Sequence, residues 1–97
     1  QGNYQQALQR FNKVVDIDPS YSKGFHNLAM THYILGNYDA AYSHINKALE
    51  LMPNDKNALL LKGETMLKLG MQQEARAILD RAEFLPDGGW QEKFPLQ

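Results

Sequence analysis

The sequence predicts an all-α fold, a tandem array of short antiparallel helices, and three observations lead there. Landmark residues recur at a spacing of 34: Gly2, Gly36 and Gly70; Tyr4 and Tyr38; Ala7, Ala41 and Ala75; Pro19 and Pro53. Several residue types sharing one phase mark a repeated structural unit. Between the landmarks the apolar residues follow the helical period, and strand signals are absent.

The first helix carries Ala7, Leu8, Phe11, Val14 and Val15 and ends before Pro19, which cannot continue a helix. In the second, Phe25, Leu28, Ala29 and His32 follow i, i+3, i+4, i+7 on one face, and Gly36 suits the left-handed position after the last turn. Asp39 is the expected N-cap of the third, whose stripe is Ala41, Ile45, Ala48, Leu49 and Met52 up to Pro53. Asn54 and Asp55 offer caps for a fourth helix bearing Leu59, Gly63, Met66 and Leu67 and closed by Gly70. Ala75, Ile78, Leu79 and Ala82 line the fifth. Helices of about 12 to 14 residues joined by turns of a few residues pack as antiparallel neighbours. Small residues recur mid-helix as Ala29 with Gly63, Ala41 with Ala75 and Ala48 with Ala82. An interior Gly costs about 1 kcal/mol relative to Ala, so Gly63 predicts a close approach of two helices.

Composition excludes several classes of function. The chain has 97 residues, 43% hydrophobic and 22% charged, which is globular rather than disordered composition. A chain this short buries a smaller fraction of its surface than a longer one. With no cysteine it has no disulfide, no thiolate zinc site and no thiol nucleophile. That absence leaves the compartment open between cytoplasm, the favoured reading, and periplasm. Ala58-Leu59-Leu60-Leu61 is the longest apolar run, far below the roughly 20 residues of a membrane span. Ten Lys plus Arg against eleven Asp plus Glu give a net charge of -1, which removes the usual driving force for nucleic-acid binding.

The pattern resembles the tetratricopeptide repeat, a helix-turn-helix unit of 34 residues. In residues 22–55 the large, Leu and small positions of the first helix fall on Phe25, Leu28 and Ala29, and the later positions on Ala41, Ile45, Ala48 and Pro53. Gly36-Asn37-Tyr38 looks like the family's turn, and Lys47-Ala48-Leu49-Glu50-Leu51 before Pro53 like its repeat ending. Departures are His32 for Tyr, Lys62 and Met66 for Leu and Tyr, Gln72 for the turn Tyr, and Pro86 one residue early. The resemblance divides the chain into half a repeat at 1–21, whole repeats at 22–55 and 56–89, and a cap or tail at 90–97. A first unit lacking its first helix is expected of a piece of a longer repeat protein, with self-association through the uncovered first helix.

The family implies a right-handed solenoid whose concave groove holds a segment of a partner protein. Its groove positions would be Lys23, His26, Asn27, Met30, Tyr33 and Ile34 on one repeat and Asn57, Leu60, Leu61, Glu64, Leu67 and Lys68 on the next. The side-chain amide of Asn27 would grip the partner's backbone. One branch of the family clamps a terminal carboxylate with cations, but Asn57 and Leu61 stand where cations are needed. An anion there would be left unpaired, so the expected ligand is an apolar or amphipathic segment.

Other conspicuous residues carry no chemistry of their own. His26, His32 and His44 lie 6 and 12 residues apart, not at the i, i+4 spacing of a helical zinc pair, and read as one groove, one repeat-core and one surface residue. Tyr33, Tyr38 and Tyr42 read as packing residues, and Met30, Met52, Met66 and Met71 as core filler. Asp16, Asp18, Asp39 and Glu50 have no His or Ser at a catalytic spacing, and Gly88-Gly89 lacks the lysine of a phosphate loop. Trp90 and Phe94, at i, i+4, are expected to cap the array, or else to dock on a neighbouring copy. The expected function is protein–protein interaction as a scaffold or chaperone-like adaptor, without catalysis or cofactor. The rivals are a regulatory or substrate-positioning segment of a larger enzyme and a self-assembly unit.

Overall fold

The computed structural model describes residues 3–86. Over that span the chain forms α1 (Tyr4–Ile17), α2 (Ser22–Ile34), α3 (Tyr38–Leu51), α4 (Lys56–Lys68) and α5 (Gln72–Glu83). No strand occurs among the described residues. The expected cap at Trp90 and Phe94 and the Gly88-Gly89 pair lie outside them.

Two kinds of turn alternate along the chain. After α2 and α4 the backbone passes through Gly36 and Gly70, both at φ +83°. A side chain in that left-handed conformation is strained, which is why glycine recurs there. At the first turn the Gly36 N–H donates to the Tyr33 carbonyl (3.0 Å) and the Asn37 N–H to the His32 carbonyl (2.8 Å). Gly70 to Leu67 (3.1 Å) and Met71 to Met66 (2.9 Å) repeat this nested closure, which satisfies the last carbonyls of each helix. The turn from α3 to α4 is fixed instead by a cap. Asp55 Oδ1 accepts from the backbone N–H groups of Asn57 (3.1 Å) and Ala58 (3.4 Å). Asp39 is not the N-cap of α3: Asn37 holds that position and Asp39 lies in the first turn. There its charge still faces the positive helix end. Asn37 makes no side-chain cap bond, because its amide reaches back to His32 Nδ1 (3.3 Å).

α2 packs against α3 and α4 against α5, with α1 on α2, α3 on α4, and α2 touching α4. The recurrent small residues set these distances. Ala29, Ala41, Ala48, Ala75 and Ala82 are completely buried. At Gly63 the Leu79 side chain occupies the place where a Cβ would project, so α4 and α5 approach as closely as a bare backbone allows. Where α2, α3 and α4 meet, Ala29, Ile45, Ala48, Ala58 and Leu61 form a buried cluster flanked by Phe25, Tyr33 and Leu49. Buried hydroxyls donate to backbone carbonyls. Thr31 and Thr65, one repeat apart, donate to the carbonyls of Asn27 (2.8 Å) and Leu61 (2.7 Å). Ser22 at the start of α2 donates to the Ala48 carbonyl in α3 (3.1 Å). Arg81 ties α5 to the α3–α4 turn through Asn54 Oδ1 (3.1 Å) and the Pro53 carbonyl (3.4 Å). Among the described residues no helix is long and apolar enough to cross a membrane.

Candidate functional site

The small residues of α2 and α4 turn inward, which leaves their longer side chains outward at helical spacing. Lys23, Met30 and Ile34 on α2 are exposed, as are Asn57, Leu60, Glu64, Leu67 and Lys68 on α4. His26, Asn27 and Tyr33 are half-buried. Leu61 is different. It is 6% exposed and belongs to the cluster with Ile45 and Ala48, because α4 presents this position to α3. A residue enclosed there offers no surface to a ligand.

The apolar members of the face are well exposed: Met30 39%, Ile34 50%, Leu60 36% and Leu67 41%. Large side chains left open in two adjoining rows form the kind of patch that a folded chain otherwise covers. The methionines accordingly divide. Met66 is buried as a core filler, whereas Met30 and Met52 are exposed. The cations of the face lie at its ends, Lys23 in the first turn of α2 and Lys68 in the last turn of α4, and Glu64 stands mid-helix between them. Lys68 Nζ stands 6.0 Å above the Tyr38 ring, a cation–π distance, and Tyr38 meets Tyr33 edge-on at 5.4 Å and 69°. Lys62 sits likewise 5.7 Å over Tyr42. All three tyrosines therefore pack against neighbouring side chains.

His26 joins the two rows. Its Nε2 is buried without a hydrogen-bond partner. Burial lowers its pKa below 6.5, opposed by the Asp55 carboxylate, reinforced by Lys23, and opposed again by the Asn57 backbone. Burial thus favours the neutral ring beside the start of α4.

One cluster escaped the sequence reading. His44, read as a surface residue, is half-buried between two rings. It stacks on His32 with centroids 5.4 Å apart and planes within 7°, and on Phe25 at 6.4 Å and 27°. The signal was present in the helical spacing: Phe25 and His32 share a face of α2, and position 44 lies one turn from the buried Ala41 and Ala48 of α3. No group of three or more His, Asp or Glu side chains able to hold a metal ion occurs among the described residues.

Paired helices, glycine-closed turns and an open face on the first helix of each pair define a tetratricopeptide-type helical solenoid, a protein-interaction repeat. The chain belongs to the family described as anaphase-promoting complex, cyclosome, subunit 3, which matches residues 1–82. It is similar to the protein SGT1 homolog of Oryza sativa subsp. japonica, 31% identical over 78 residues, 80% of this chain and 21% of that protein. It is also similar to heat shock protein STI1 of Saccharomyces cerevisiae, 44% identical over 55 residues, 57% of this chain and 9% of that one. The chain thus spans about a fifth or less of the length of these relatives. Its backbone resembles the solved structure of MamA AMB-1 with TM-score 0.80 at 24% identity, over 86% of this chain and 49% of that one. That likeness is one of fold.

Proposed function

We propose that the chain is a protein-interaction module that takes an apolar or amphipathic segment of a partner protein along the face of α2 and α4, acting as a scaffold or chaperone-like adaptor without catalysis of its own. The observation that carries this reading is the exposure of Met30, Ile34, Leu60 and Leu67 in two adjoining helical rows. Covering them removes apolar area from water at roughly 25 cal/mol per Å². Asn27 lies among them with an amide able to pair with a backbone. Lys23 and Lys68 favour acidic residues at the ends of the bound segment. A terminal-carboxylate clamp gains no support, since Leu61, one of the positions it needs, is enclosed in the core. The heat-shock name of the yeast relative and the multisubunit complex in the family's description accord with an adaptor or scaffold role. The repeat units at 22–55 and 56–89, and self-association through α1, belong to the same proposal.

The test is a double variant, Asn27→Ala with Leu60→Glu. A partner captured on the 97-residue chain is titrated calorimetrically against both forms, with circular dichroism as the control for folding. Affinity falls at least tenfold while helicity is retained. Equal affinity for both forms removes this face from the function.

A further inference from the structure

The three-ring stack lies on the α2–α3 side of the molecule, apart from the face just described. Phe25 and His32 come from α2 and His44 from α3, so the rings join the two helices of one pair. Phe25 and His44 also line a cleft with Ser43, Asn46, Lys47 and Glu50. The charged groups in that cleft, Lys47 and Glu50, pair with each other (3.4 Å). Neither imidazole forms an ion pair with a carboxylate among the described residues. The polar neighbour of His32 is the uncharged Asn37 amide, 3.3 Å from Nδ1. Burial acts on His32, and burial followed by His32 itself acts on His44.

We propose that Phe25, His44 and His32 form an acid-sensitive latch between α2 and α3: as the imidazoles take up protons the stack parts, and α2, which carries Met30 and Ile34, loosens from its partner helix. Two imidazolium rings with centroids 5.4 Å apart repel one another, and the carboxylate of the adjoining cleft, Glu50, is engaged by Lys47. The sign of the stability change follows from linkage. Both folded pKa values lie below 6.5, so the unfolded chain binds more protons just below that pH, and stability falls as the solution is acidified. Any effect of the latch on partner binding rests on the proposed function, whereas the latch itself does not.

The experiment needs no partner. Thermal unfolding of the 97-residue chain is followed from pH 7.5 to 5 for wild type, His32→Phe and His44→Phe, each variant keeping a ring in the stack but not the proton. Wild type loses about 5 °C of Tm or more across this range, and both variants lose distinctly less. NMR titration of the histidine ring protons supplies a second readout. The midpoint of His44 lies below 6.5 in wild type and rises in His32→Phe, where its charged neighbour is gone. A wild-type midpoint at or above 6.5, an unmoved midpoint in the variant, or identical Tm–pH slopes overturns the proposal.

Discussion

Replacing Gly63 by Ala tests the packing of the repeat directly, because two effects of opposite sign act at one atom. An Ala in the interior of α4 favours the helix over Gly by about 1 kcal/mol. Against this, the new Cβ would lie 2.5 Å from Leu79 Cγ, where carbon atoms ordinarily rest about 3.5–4.0 Å apart. The obstacle is the branch point of Leu79 as well as a methyl tip, so a rotamer change alone gives little relief. Either Leu79 shifts bodily or α4 and α5 separate, and overpacking of this kind costs about 1–3 kcal/mol. Taking the upper half of that range, Gly63→Ala destabilises the chain by about 1–2 kcal/mol net and lowers Tm by roughly 4–8 °C per kcal/mol. Urea and thermal unfolding followed by circular dichroism measure it. The decisive form is a double-mutant cycle: with Leu79→Ala already in place, Gly63→Ala meets no obstruction and becomes stabilising by up to about 1 kcal/mol. If Gly63→Ala raised Tm in the wild-type background, helix propensity would dominate, and close approach would not be the reason for glycine here.

Gly36→Ala costs about 1–2 kcal/mol in the same unfolding assay, all of it from the backbone, since at φ +83° nothing stands within 4 Å of the new Cβ. Gly36→Asn costs less than Gly36→Ala, because Asn tolerates the left-handed region. Asp55→Ala removes the acceptor of two N–H groups at the start of α4 and lowers stability by about 1 kcal/mol, while Asp55→Asn retains most of the cap.

The helices and their ends were legible because each rests on local chemistry. A glycine one residue past an apolar stripe, a proline after it and an aspartate before the next are short-range signals, and α2, α4 and their closing turns lie where those signals put them. Asn37 and Asp39 are both good cap residues, and the choice between them depends on the backbone path out of Gly36. The candidate face was only partly legible. Helical spacing places Asn27 and Leu61 at equivalent positions one repeat apart, yet Leu61 is enclosed while Asn27 is half-buried. Periodicity fixes the angle around the helix axis but not how far a neighbouring helix reaches over it. The ring stack was missed for a related reason. His32 and His44 lie on different helices, and their meeting depends on packing.

The α2–α3 pair and the α4–α5 pair agree at the positions that build the stack and differ at those left outward. Shifted by 34, Gly36 matches Gly70, Thr31 matches Thr65, Ala41 matches Ala75, Ala48 matches Ala82, and Ala29 meets Gly63. Apart from the turn glycines, every one of these residues is buried. The outward positions agree nowhere: Lys23 is replaced by Asn57, His26 by Leu60, Met30 by Glu64, and Ile34 by Lys68. Stacking requires each pair to present the same small, close surface to the next, so the enclosed positions are held to one solution. The outward positions are held less tightly by the stack, and a ligand crossing both helix pairs would meet a different set of side chains on each. Under the proposed function, a segment lying across both rows would therefore be read in one direction and one register. Exchanging Met30 with Glu64 by the paired substitutions Met30→Glu and Glu64→Met tests this. It preserves composition, net charge and fold while reversing the pattern. Retained melting temperature with at least tenfold weaker partner affinity is the expected result, and unchanged affinity would mean that exposed apolar area alone, irrespective of order, accounts for binding.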